Sequence, residues 1–365
     1  LNLQNRKDIT LSIPTLPGIT ARIVTTKRLT TRVLFSGPED GIPVLFLHGN
    51  LSSATWWEET MLALPSDYRG IVPDQRGFGA ADENAKIDAR RGMGDLADDA
   101  AALLDLLGIL KAHIVGNSMG GNVIWRMLVD YPARFLSASL PSPGSPFGFG
   151  GTKDENGTPC YPDYAGSGGG LFNRKLVQRI QDGDLSTESP FSPRQALRDL
   201  VYKPPFIPPR EDEMVAALLA VHTGPQDLPG DVVKSPNWPF VAPGEWGATN
   251  ALSPKYAVDT NRLYATEPKT SILWVRGTHD VAISDEAASD TGTLGKQGLI
   301  KGWPGLGVYP PQPMLAQTRA VLEKYAKSGG HYQEVVIDDC GHIPFIEKPI
   351  EFNAVFHQHL ERNKE

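Results

Sequence analysis

The sequence is short of cysteine, of long apolar runs and of positive charge, and each shortage closes off a class of protein. Two cysteines, Cys160 and Cys340, stand far apart among 365 residues. They offer no metal-ligand spacing, so free thiols in a reducing compartment are expected rather than a disulfide framework or a zinc site. No stretch approaches the roughly 20 apolar residues of a membrane span. Residues 1–13 mix polar and apolar side chains instead of forming the basic and apolar parts of a secretory signal. A cytoplasmic location is therefore expected, although a chain starting at Leu1 leaves a removed upstream signal open. Acidic residues outnumber basic ones 42 to 35, a net charge of −7 that is spread along the chain. Nucleic acid and anionic membranes would not be drawn to such a surface, which points to a small-molecule substrate. Phosphate loops are lacking too: neither Gly77 and Gly79 nor the glycines at 148–151 complete a G-x-G-x-x-G or G-K-[ST] pattern. There is no internal repeat.

What is present is an alternation of short apolar runs and helical patterns. Two β-rich segments at residues 19–25 and 31–35 read as an antiparallel pair. Runs at 44–47, 70–72 and 112–115 are apolar on both faces, as strands of a covered parallel sheet are, and further strands are expected at 135–140, 270–275 and 332–337. From Asp95 the apolar positions Leu96, Ala100, Leu103, Leu104 and Leu107 recur at helical spacing, with Asp95 placed to cap and Gly108 to stop. Asp98, Asp99 and Asp105 on the opposite side read as a solvated face rather than a metal site. Further helices are expected at 171–180, 211–221, 314–327 and 350–361, the last entered through Pro349. The proline- and glycine-rich block 144–268 reads as a lid inserted into a core of residues 1–143 and 269–365, with a second insertion at 284–313.

The chemistry gathers around Gly116-Asn117-Ser118-Met119-Gly120, a G-x-S-x-G turn between an apolar strand and a helix. Such a turn is a nucleophile elbow, with Ser118 the exposed nucleophile. A serine hydroxyl needs a base, and the base needs an acid to fix its tautomer. Of the eight histidines, His342 follows the last strand in a loop, and chain order Ser, acid, His then selects Asp280 in Gly277-Thr278-His279-Asp280, with Asp285 in reserve. The segment 141–150 has no carboxylate to offer instead. The two oxyanion donors are expected to be the backbone N–H groups of Met119 and of Asn50 in His48-Gly49-Asn50. His48, Trp56 and Trp57 are candidate walls of the acyl site. Asp74-Gln75-Arg76-Gly77 reads as a structural turn in which Asp74 and Arg76 pair.

These ordered motifs, together with Cys340-Gly341-His342-Ile343-Pro344, resemble the α/β-hydrolase superfamily over roughly residues 20–143 and 269–361. The resemblance implies a mostly parallel, twisted sheet flanked by helices, and a catalytic triad needing no metal or organic cofactor. Asn-Ser-Met-Gly-Gly looks like the elbow of meta-cleavage-product C–C hydrolases and many carboxylesterases. Asp-Gln-Arg-Gly is similar to proline iminopeptidases, epoxide hydrolases and cofactor-free haloperoxidases. Epoxide hydrolases and haloalkane dehalogenases carry an aspartate at the elbow, which Ser118 argues against. The expectation is a soluble serine hydrolase, a carboxylesterase or lactonase acting on a small, fairly apolar molecule. Its rivals are a C–C bond hydrolase of diketones, a perhydrolase and a nearly silent ligand receptor. The oligomeric state is left open, a homodimer included.

Overall fold

A computed structural model describes residues 6–364. The first part of the N-terminal segment read above for a signal, residues 1–5, lies outside them. Eight strands form one sheet: β1 (Thr20–Thr25), β2 (Thr30–Ser36), β3 (Ile42–Leu47), β4 (Tyr68–Pro73), β5 (Ala112–Gly116), β6 (Phe135–Pro141), β7 (Ser271–Gly277) and β8 (Tyr332–Ile337). Their spatial order is β1-β2-β4-β3-β5-β6-β7-β8. The antiparallel β1–β2 pair is joined to the rest by an antiparallel β2–β4 contact, and every later pairing is parallel. This is the α/β-hydrolase fold that the resemblance of the ordered motifs implied.

Burial explains why these runs became central strands. All five residues of β5 are buried, as are Val44, Leu45, Phe46 and Leu47 of β3. A strand with no wet face needs cover on both sides, and helices supply it. The principal helices are α1 (Gly94–Leu106), α2 (Met119–Asp130), α3 (Arg174–Gln181), α4 (Pro193–Leu200), α5 (Glu211–Leu219), α6 (Met314–Lys327) and α7 (Pro349–Arg362). On one face an aromatic chain runs from Phe46 to Trp57 at 5.2 Å, from Trp57 to a stacked Phe345 at 4.0 Å, and on to Phe352 and Phe356 of α7. Each large side chain so buried contributes roughly 2–3 kcal/mol by removal of apolar area from water.

Three expectations about charge are corrected. Asp74 and Arg76 do not pair with each other. Asp74 accepts from Arg32 Nε of β2 at 3.0 Å and from the N–H groups of Ala54 and Ala80. Arg76 instead grips Asp99 of α1 with two bonds, at 2.7 and 2.8 Å. Of the side expected to be solvated only Asp105 is exposed: Asp99 is buried, as is Asp95, and Arg28, Arg76 and Arg91 neutralise both together with the half-buried Asp98. Nor does Asp95 cap the helix, because α1 starts one residue earlier and Asp95 Oδ2 accepts from Asp88 N–H at 2.9 Å. Gly108 does end it, with φ +69°.

Between β6 and β7 lie α3, α4 and α5, together with an antiparallel ribbon of Val232–Lys234 and Val241–Pro243. The stretch between β7 and α6 folds back onto the start of this segment. Thr291 Oγ1 donates to Gly166 O at 2.6 Å, Tyr309 OH to Ala165 O at 3.0 Å and Gln312 Nε2 to Gly148 O at 3.0 Å. Among the described residues no helix is long and apolar enough to cross a membrane.

Candidate active site

The turn from β5 into α2 carries Ser118 in a conformation that side chains avoid, with φ 55° and ψ −120°. Holding it costs about 1–3 kcal/mol, which the surrounding bonds must supply. Ser118 N–H donates to Ser142 O at 3.0 Å, and Ser118 O accepts from Gly121 and Gly144 N–H at 2.9 and 3.0 Å. The turn also brings backbone against backbone. A Cβ on Gly116 would lie 2.5 Å from Gly120 O, so only glycine closes the turn. The result is a half-buried serine presented at the carboxyl end of the sheet.

His342 and Asp280 come together from the loops after β8 and β7. His342 Nδ1 donates to Asp280 Oδ2 at 2.9 Å, both side chains being almost fully buried. Asp280 Oδ1 is occupied by the N–H groups of Ala282 and Ile283, each at 2.9 Å. The carboxylate is thus held on three sides, and its bond to Nδ1 leaves Nε2 of His342 as the ring nitrogen free to accept a proton. Asp285 is elsewhere employed, since its Oδ1 accepts from Leu315 and Ala316 N–H at the start of α6. Asn117, one residue before Ser118, ties the elbow to the end of β6 and to the His342 loop: its Nδ2 donates to Pro141 O at 3.0 Å and to His342 O at 3.2 Å. Among the described residues no hydrogen bond joins Ser118 Oγ to His342 Nε2.

The loop after β3 faces the elbow closely enough that a Cβ on Gly49 would lie 3.1 Å from Ser118 Cβ. Among the described residues neither Asn50 N–H nor Met119 N–H donates to a protein acceptor, so both are free for an anion. His48 shapes this loop from beneath. Its Nε2 accepts from Gln75 N–H at 3.0 Å, so Nδ1 carries the proton and donates to Gly49 O at 2.8 Å. Gln75 Nε2 then donates to His48 O at 2.7 Å. Burial pushes the His48 pKa down to about 4, which keeps the ring neutral at ordinary pH.

The expected walls are all buried. His48 is 1% exposed and both of its ring nitrogens are used by the backbone. Trp57 is wholly buried against Phe345, three residues beyond His342, so it supports the loop of the base. Trp56 is 6% exposed and donates through Nε1 to Met214 O of α5 at 3.3 Å. Sequence reasoning missed Asn117 and Gln75, although both stand inside motifs it had already marked. Among the described residues no group of histidine, cysteine, aspartate or glutamate side chains is arranged to hold a metal ion.

Comparison with known proteins agrees with this fold. The model of the alpha/beta hydrolase fold family matches residues 42–166. An uncharacterized carboxylesterase of Bacillus subtilis is 38% identical over 120 residues, 32% of this chain and 38% of that protein. A 2-hydroxy-6-oxo-6-phenylhexa-2,4-dienoate hydrolase of Burkholderia cepacia is 34% identical over 117 residues, 31% of this chain and 40% of that protein. The chain matches about two fifths of the length of such relatives. Over nearly its whole length the fold is shared with solved esterases. A carboxylesterase from Bacillus subtilis superposes with TM-score 0.57 at 19% identity, covering 97% of this chain and 95% of that one. An esterase from Thermogutta terrifontis gives 0.56 at 20% identity, covering 95% and 100%. Strand order and these solved structures together give the chain the α/β-hydrolase fold.

Proposed function

We propose that the protein is a serine hydrolase that cleaves a carboxylic ester or lactone of a small, fairly apolar molecule through an acyl-enzyme on Ser118. The observation that carries this reading is the bond from His342 Nδ1 to Asp280 Oδ2, because it orients a base whose other nitrogen is unused. In the forward half-reaction His342 Nε2 takes the Ser118 proton as Oγ attacks the carbonyl carbon. The Asn50 and Met119 N–H groups receive the negative charge that develops on the carbonyl oxygen, each worth about 3 kcal/mol in the transition state. The proton then passes from His342 to the departing alkoxide, leaving the acyl group on Ser118. Water, deprotonated by the same Nε2, attacks the acyl carbon, and proton return to Oγ releases the acid. The Ser118 to Nε2 bond is closed in the reacting complex, as catalytic hydrogen bonds that are open without substrate tighten with it. The segment 144–268, with the 284–313 stretch bonded to it, serves as the lid over this site.

Carboxylesterase-named relatives support the ester-cleaving class. The similarity to the Burkholderia cepacia dienoate hydrolase favours a second reading, hydrolysis of a C–C bond next to a ketone with the same residues. A panel of esters, lactones and β-diketones decides between them: ester or lactone turnover with inert diketones supports the first reading, and the reverse pattern replaces it with the second.

A further inference from the structure

The loop that carries His342 is bracketed by a buried carboxylate that the acyl-transfer steps above do not use. Glu347 lies five residues beyond His342 and is 8% exposed. Its Oε2 accepts from Gly341 N–H at 3.0 Å and its Oε1 from Ile343 N–H at 3.3 Å, so both amides flanking His342 are bound to one side chain. A third donor comes from the segment between β6 and β7: Lys203 N–H reaches Oε2 at 2.9 Å. Two residues earlier, Val201 O accepts from His342 N–H at 3.0 Å. Residues 201–203 and 341–343 are therefore joined by two main-chain links, one of which passes through the Glu347 carboxylate.

We propose that Glu347 is a positioning residue, which fixes the backbone on both sides of His342 and locks that loop to residues 201–203 of the inserted segment. The inference rests on the hydrolase reading given above. Three N–H donors and no acceptor converge on this carboxylate, which suits the ionised form, an acceptor at both oxygens. Burial raises its pKa while the bonds from Lys203, Gly341 and Ile343 and the nearby His342 oppose that rise. The neighbouring charges are few. Lys203 and Lys348 both turn their ammonium groups to the exposed Asp339 rather than to Glu347. Asp280 is the other carboxylate at His342, and the thiol of Cys340 and the phenol of Tyr202 are both held neutral by burial. Glu347 thus holds the backbone on both sides of His342. A glutamine there would keep the shape, remove the charge and turn an NH2 group toward at least one N–H donor.

The test compares Glu347→Gln and Glu347→Asp with the native chain in amide hydrogen exchange, melting temperature and steady-state kinetics on an aryl ester that the protein hydrolyses. Glu347→Gln is expected to lower kcat about tenfold with KM little changed, the size of one lost bond to a charged acceptor. Exchange quickens at Gly341, Ile343 and Lys203. Glu347→Asp keeps a charged acceptor and is expected to recover part of kcat. If Ser118 proves not to be the nucleophile while exchange still quickens at these amides, the hydrolase reading fails and the bracket around the loop stands. Unchanged exchange at the three amides, or a kcat loss in Glu347→Gln fully explained by a smaller folded fraction, overturns the proposal.

Discussion

His342 Nδ1 and Asp280 Oδ2 stand 2.9 Å apart although 62 residues of chain separate them. That contact sets the tautomer of the base, and its removal is predicted to cost far more than the loss of one hydrogen bond. Asp280→Asn is expected to lower kcat by about four orders of magnitude, because an amide NH2 facing Nδ1 favours the wrong tautomer. Asp285→Ala, which only uncaps α6, is expected to leave kcat within a factor of two and to lower the melting temperature slightly. Steady-state kinetics on one ester with both variants separates the two acids.

The Arg32–Asp74 pair anchors the base of the loop after β4. Both side chains are buried, and Asp74 also holds the N–H groups of Ala54 and Ala80. Arg32→Met leaves that carboxylate buried without its cation, and a loss of about 3–5 kcal/mol is expected in urea unfolding. The double variant with Asp74→Leu should recover part of it, since a buried charge without a partner is the main cost.

Gly79 tests the same anchor from the other side. Its φ is +56°, and a Cβ there would lie 2.5 Å from the Asp74 carboxylate. Gly79→Ala combines backbone strain with displacement of a buried acid, so a loss of about 3 kcal/mol is expected. Chemical denaturation of the variant measures it directly.

Acid should weaken the fold through three buried histidines. Burial lowers the pKa of His48 to about 4, of His113 to about 3 and of His359 to about 4, against an unfolded value of 6.5. Within the window from about 6.5 down to 4 the unfolded chain binds protons that the folded chain does not. Stability from these groups is therefore full above pH 6.5 and lost as pH falls, by about 1.4 kcal/mol per pH unit for each histidine. Replacing His359 with glutamine should reduce that slope by about one proton, read from urea unfolding between pH 7 and 5.

Much of the fold was legible because strands and helices announce themselves locally. The helix at Met314–Lys327 and the strand at Tyr332–Ile337 have the bounds expected from periodicity. The loops bearing Ser118, Asp280 and His342 follow strand tips, and a strand tip can be read from a short apolar run. Charge partners could not be read this way. Arg32 meets Asp74, and Arg76 meets Asp99, across gaps of 42 and 23 residues. No periodicity marks such pairs, and a nearby residue of opposite charge, as in Asp74 and Arg76, misleads. Trp56 and Trp57 were not legible for a related reason: aromatic side chains beside a site loop suit a pocket wall and a core equally, and only packing shows both to be buried.

The acyl-enzyme on Ser118 is the centre of the account, and trapping it is the most direct test. A His342→Ala variant, which attacks slowly and deacylates more slowly still, is incubated with each ester that the native chain turns over, and its peptides are weighed by mass spectrometry. The account predicts the mass of the acyl group on the peptide containing Ser118, and its disappearance in Ser118→Ala. Turnover by the native chain with no acyl mass on Ser118 for any substrate, or undiminished turnover by Ser118→Ala, would contradict it.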